Sequence, residues 1–251
     1  MASPLSILAR REFLTYFRTS AGPLVAFFFL AAMGLAFWLR VAGLSAAVPA
    51  TVGPVPVYWG RPEPFFWLAM LLSAPLLTMH LFAEERRSGA LDLLLSAPVS
   101  EAHIVSAKYL GALAFYGLLL LPLFGYPLLL RAAAAPASLP PLHTPSFLLG
   151  MFLAGADFLA LGLLYSLLTT RPLLAAMATL ATLAVLLAPG LLTLPPAFEA
   201  IGPWLPTCCP VYHLRAFAEG VIDTRAILFH VLATLLLLLL STRILEVRRW
   251  R

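Results

Sequence analysis

Residues 109–130 read YLGALAFYGLLLLPLFGYPLLL, twenty-two in succession without a charged side chain. A helix of that length rises about 33 Å at 1.5 Å per residue, enough to cross the roughly 30 Å hydrocarbon layer of a bilayer. Five further charge-free runs accompany it: Thr19 to Leu39, Pro64 to Ala83, the interrupted Ala132 to Thr170, Pro172 to Phe198 and Ala226 to Thr242. The last is short, but the Arg225 and Arg243 stems at its edges can lie along lipid while their guanidinium groups reach the headgroups. The chain is 62% hydrophobic and 11% charged, with a mean hydropathy of +0.96, where a soluble domain carries about 25% charged residues. A β-barrel would need alternating strands of about ten residues, not unbroken apolar runs. The sequence therefore predicts an all-α integral membrane protein, one domain over 1–251, with six transmembrane helices near 21–39, 64–83, 106–130, 146–168, 173–193 and 225–243.

Ser3 followed by Pro4 is a helix start. A helix over 4–18 places Leu5, Leu8, Ala9, Phe13, Tyr16 and Phe17 on one side and Arg11 and Arg18 opposite, the pattern of an interfacial helix. Glu12 breaks the pattern by falling on the apolar side. The first span has no small-residue cleavage pattern after it and reads as retained. Six spans place both termini on one side, and the cations choose which. With the termini inside, eleven Arg and Lys residues are cytoplasmic, Lys108 among them, against Arg40, Arg61, Arg131, Arg215 and Arg225 outside. The net charge of +5 is then explained by anionic lipid and topology rather than by nucleic acid. The outer loops are rich in proline. The third outer segment, Leu194 to Thr224, holds an uncharged stretch broken by Pro203, Pro206 and Pro210, too short and too interrupted to span. It reads as a re-entrant or interfacial hairpin.

The most charge-dense interior piece runs from Glu84 to Glu101, with Glu84, Glu85, Arg86 and Arg87 in succession and Leu91, Leu94 and Leu95 at helical i, i+3, i+4 spacing. An ordinary solvated loop accounts for the charges but not for the leucines. A short amphipathic helix outside the bilayer, over 88–97, accounts for both and suits docking to a soluble partner. Pro98 ends that helix near Ser96, and Ser100 caps the next.

The stretch FAEERRSGALDLLLSAPVSEAHIVSAKYL, residues 82–110, resembles the cytoplasmic segment after the second span of type-2 ABC permeases, the membrane subunits of ATP-driven exporters. The stretches Arg11 to Phe17, Gly220 to Arg225 and Leu245 to Arg251 resemble the gliding-motility-associated branch of that superfamily. The resemblance implies that the 88–97 helix is a coupling helix resting in a groove of a separate ABC ATPase. Glu84, Glu85, Arg86, Arg87, Gly89, Leu91, Leu94 and Leu95 would form the coupling surface. It further implies a second permease subunit, identical or closely related, a re-entrant hairpin before the last span, and residence in a bacterial or archaeal cell membrane. ATP and Mg would be bound by the partner, with no cofactor in this chain.

The chemistry of the side chains agrees that catalysis lies elsewhere. A P-loop needs a lysine after a glycine-rich turn, and the sole lysine, Lys108, follows Val105-Ser106-Ala107. No H-E-x-x-H pair, G-x-S-x-G elbow or metal-site cysteine spacing occurs. Cys208 and Cys209 are adjacent, too close for an unstrained disulfide; they read as two small buried thiols, with His213 near enough to make a metal site conceivable. Asp157 is the intramembrane polar candidate, at the middle of the fourth span. A carboxylate there costs roughly 2.5 to 3.5 kcal/mol on insertion scales, so it should face protein or water. It reads either as an interhelical hydrogen bond to Ser, Thr or Tyr or as part of a substrate path. His230 reads as a packing residue and His80 as the cytoplasmic end of the second span. The expected function is an exporter permease; an ATP-independent secondary carrier and a membrane scaffold are the alternatives.

Overall fold

The computed structural model of the chain describes residues 4–46, 64–91, 100–126, 128–129, 143–191, 207 and 209–249. Nine α-helices are described: α1 Pro4–Arg18, α2 Ala21–Ala46, α3 Pro64–Thr78, α4 Ala83–Ser88, α5 Glu101–Leu120, α6 His143–Leu168, α7 Pro172–Leu191, α8 Pro210–Ala218 and α9 Thr224–Arg249. No strand occurs among the described residues. Six stretches are long and apolar enough to cross a membrane: Ala21–Leu39, Phe65–Ser88, Glu101–Phe124, Thr144–Leu168, Pro172–Leu191 and Thr224–Val247. This is a multi-pass, all-helical membrane protein.

Helix α6 is the axis of the bundle. Of its apolar window 83% is buried inside the protein, against 11% for α9, which lies at the periphery. It packs against α3, α5, α7, α8 and α9, and small residues let those neighbours approach. A Cβ on Gly155 would sit 2.1 Å from the Tyr116 ring of α5, and one on Gly162 would sit 2.1 Å from Thr78 Oγ1 of α3. Ser146 near one end of α6 donates to the Phe217 carbonyl of α8 at 2.7 Å. Ser166 near the other accepts from the Phe82 and Ala83 amides at 3.0 and 3.1 Å. Twenty residues separate the two serines, a rise of about 30 Å, so α8 and α4 mark opposite ends of the bundle.

The second span is not one helix. Pro75 lies inside α3, which ends at Thr78, and a turn over 79–82 precedes α4. Ser166 fills the interruption: besides accepting the two amides, its hydroxyl donates to the Met79 carbonyl at 3.1 Å, using the donor and both lone pairs of a serine. A borrowed hydroxyl of this kind is how a broken helix satisfies its backbone away from water.

The charges leave the second span differently from the sequence expectation. Glu84 to Arg87 belong to α4, which stops at Ser88 because Gly89 adopts φ +75, the left-handed cap that glycine takes without steric cost. They form the last turn of the second span, ahead of the expected 88–97 helix. Ala90 and Leu91 are helical again, and residues 92–99, with Leu94, Leu95 and Pro98, lie outside the described residues. Ser100 caps α5 as expected, its side chain accepting from the His103 amide.

The apolar stripe of α1 is turned onto α5. Leu5, Leu8, Ala9, Phe13 and Tyr16 are partly buried, whereas Ile7 and Phe17 are exposed. Of residues 194–224 the structure describes 207 and 209–224, which include α8, packed on α6 and α7. The expected hairpin, the proline-rich loops and Cys208 fall largely or wholly outside the described residues.

Candidate functional site

Two polar constellations occupy the two halves of the bundle. The first lies at the end where α1, α4 and α5 meet. Lys108 of α5, only 3% exposed, places its ammonium 2.7 Å from Glu85 Oε1 of α4 and 3.3 Å from Glu12 Oε1 of α1. Its Nζ also stands 5.3 Å from the Phe82 ring centroid. A buried ammonium persists only if paired, and here one cation joins three helices. Glu85 Oε2 is buried with no hydrogen-bond partner. Tyr16 reinforces the junction by donating to the Leu77 carbonyl at 2.7 Å and stacking on Phe115. Burial, and secondarily the Glu12 carboxylate, push the Tyr16 hydroxyl well above its ordinary range, so it stays a neutral donor.

The remaining charges of α4 serve its ends. Arg86 donates to the Leu167 carbonyl at 2.6 Å, satisfying a C-terminal group of α6. Glu84 pairs with His80 at 3.1 Å on the exposed side, while Arg87 and Gly89 are exposed. Leu91 is 3% exposed and belongs to the core. A cavity of about 350 Å³ opens beside this junction, lined by Tyr16, Leu76, Leu77 and Leu81 together with Glu12, Glu84, Glu85 and Lys108.

The second constellation lies in the middle of the bundle and continues to the α8 end. Asp157 of α6 is buried. Its Oδ1 accepts from Thr234 Oγ1 of α9 at 2.6 Å, and its Oδ2 is hydrogen-bonded to His230 Nδ1 of α9. The other ring nitrogen of His230 faces His213 Nδ1 of α8 at 3.4 Å. Tyr109 of α5 lies alongside, donating to the Ala156 carbonyl at 3.3 Å. The interhelical bond expected of Asp157 is present. His230, which sequence reasoning set aside as packing, is its main partner. The missed signal was the i, i+4 spacing of His230 and Thr234, which puts both polar groups on one face of an otherwise aliphatic helix.

Cys209 directs its buried thiol at the Leu186 carbonyl, 3.5 Å away. Burial pushes that thiol above its ordinary value, which keeps it protonated and slow to react. Among the described residues no group of three His, Cys, Asp or Glu side chains is arranged to hold a metal ion.

The profile of a protein family described as ABC-2 family transporter protein matches residues 63–243, from α3 through most of α9, and so takes in both constellations apart from Glu12 and Tyr16 of α1. No curated protein matches the chain.

Proposed function

The chain belongs to the ABC-2 family of transporter proteins, and from that premise we propose that it is the permease subunit of an ATP-driven exporter, docked through residues 84–97 to a separate ATPase. A second permease subunit, identical or closely related, completes the pathway, with α9 and its exposed leucines available for lipid or for that subunit. The protein sits in a bacterial or archaeal cell membrane, in the gliding-motility-associated branch that its two ends resemble. The observation that carries the reading is the Lys108 junction. A push on the segment after Gly89 meets α4, and the ion pairs to α5 and α1 oblige the second span, the third span and the N-terminal helix to respond together.

Replacing both Leu94 and Leu95 with aspartate tests the docking. Unpaired charges in an apolar interface cost several kcal/mol, so the variant is expected to insert and fold while losing its ATPase on purification. A stoichiometric, substrate-stimulated ATPase retained by the double variant would place coupling elsewhere, and ATP turnover by the isolated chain would overturn the reading. An ATP-independent carrier is favoured by one observation, the buried Asp157–His230 pair, since carriers keep ionisable groups within the membrane. Transport by the chain without any ATPase would decide for it.

The same reading orients the chain, with both termini and the Glu84 to Lys108 segment cytoplasmic. In a background with both native cysteines replaced, a cysteine at position 54 should react with a membrane-impermeant maleimide added outside, and one at position 92 should not. Equal reaction at both would reverse the orientation or dismiss it.

A further inference from the structure

We propose that Asp157, His230 and His213 form a proton-binding site that fastens helix α8 to the middle of the bundle, and that loading it with a second proton releases α8. The proposal requires only that the chain span a membrane, and it stands or falls apart from the docking of an ATPase.

The proton count follows from what each nitrogen can do. The Asp157 carboxylate accepts only, so His230 Nδ1 carries a hydrogen and donates to it. With His230 neutral, its Nε2 is a lone pair and accepts from His213 Nδ1–H across the 3.4 Å gap. With one proton added, His230 is an imidazolium that donates from Nδ1 to Asp157 and from Nε2 to the bare Nδ1 of His213. Both loadings close the chain, and the second leaves aspartate and imidazolium neutral as a pair. A further proton on His213 gives its Nδ1 a hydrogen as well. Two N–H groups then face each other with no acceptor between them, and two cations share one carboxylate. The bond to α8 is replaced by repulsion.

The neighbouring polar groups have partners of their own. From α5, Tyr109 is bonded to the Ala156 carbonyl and Tyr116 to the Met151 carbonyl. On α8 itself, Arg215 turns away to the Gly190 carbonyl at 3.0 Å and lies over the Tyr212 ring, and Glu219 caps the helix end in solvent. Helix α7 carries no titratable side chain. The packing of α8 also rests on the Ser146 bond, the Arg215 bond to Gly190, the contacts of Phe217 with Gly150 and of Val211 with Gly190, and the buried Pro210, Leu214 and Ala218. A 3.4 Å separation of imidazole nitrogens would also suit two ligands of one metal ion, but no third ligand converges there among the described residues.

Hydrogen exchange of residues 210–218 in the full chain, held in lipid nanodiscs, reads the fastening directly. After correction for the intrinsic pH dependence of exchange, protection of α8 should fall about tenfold or more between about pH 8 and about pH 5, where histidine loads. His213→Gln keeps a hydrogen-bonding group opposite His230 but cannot bind a proton, so its α8 should stay protected throughout. Unchanged protection of the parent or an equal fall in His213→Gln would each overturn the proposal.

Discussion

Lys108→Met is expected to destabilise the protein by about 3 kcal/mol or more, because removing one member of a buried ion pair strands its partners. Methionine fills much the same space as the lysine stem, so the loss measured would be charge rather than volume. Glu12 and Glu85 would then face each other across α1 and α4 with no cation between them. Both side chains retain some solvent contact, 17% and 28% exposed, which places the effect at the low end of the range for buried pairs. The thermal unfolding midpoint in a mild detergent should drop by several degrees. Neutralising the carboxylates together with the lysine, as Glu12→Gln, Glu85→Gln and Lys108→Met, should recover most of the loss, since an apolar or neutral replacement of a whole buried cluster is often tolerated. A single variant as stable as the parent would mean that the junction is ornamental and that motion does not pass through it.

The elements of this fold were legible where hydrocarbon dictates them. Bilayer thickness fixes the length of each charge-free run, which is why six candidate spans could be read from the sequence. Two anomalies within that pattern were visible but not connected. Glu12 fell on the apolar side of an amphipathic helix, and Lys108 was the lone lysine, yet nothing local says that helices 96 residues apart will bring them within 3.3 Å. The interruption at 79–82 was hidden for the same reason: Pro75 weakens the ladder, but the repair comes from Ser166 in another span. The stop after the charges is set at Gly89, a left-handed position that reads in sequence as one more small residue.

Asp157 was conspicuous by its cost, and its partners were not, because the rotation of α9 against α6 is set by packing that no single helix encodes. The partners now give the residue a definite expectation. Asp157→Leu removes the acceptor of both Thr234 and His230, and each buried donor left unsatisfied costs about 1–3 kcal/mol. The branched side chain must also fit a site shaped for a carboxylate within the most buried helix of the bundle. The leucine variant is therefore expected to aggregate or to unfold well below the parent in detergent. Asp157→Asn keeps the volume and one accepting oxygen, and should assemble with a modest loss. Thr234→Val should fall between them, since it deletes one donor and leaves the histidine bond in place. Insertion into the bilayer favours leucine over aspartate by roughly 2.5 to 3.5 kcal/mol on translocon scales, so hydropathy alone predicts the opposite order. If the leucine variant equals or exceeds the parent in stability, the chain from Asp157 to His213 contributes nothing that packing does not already supply.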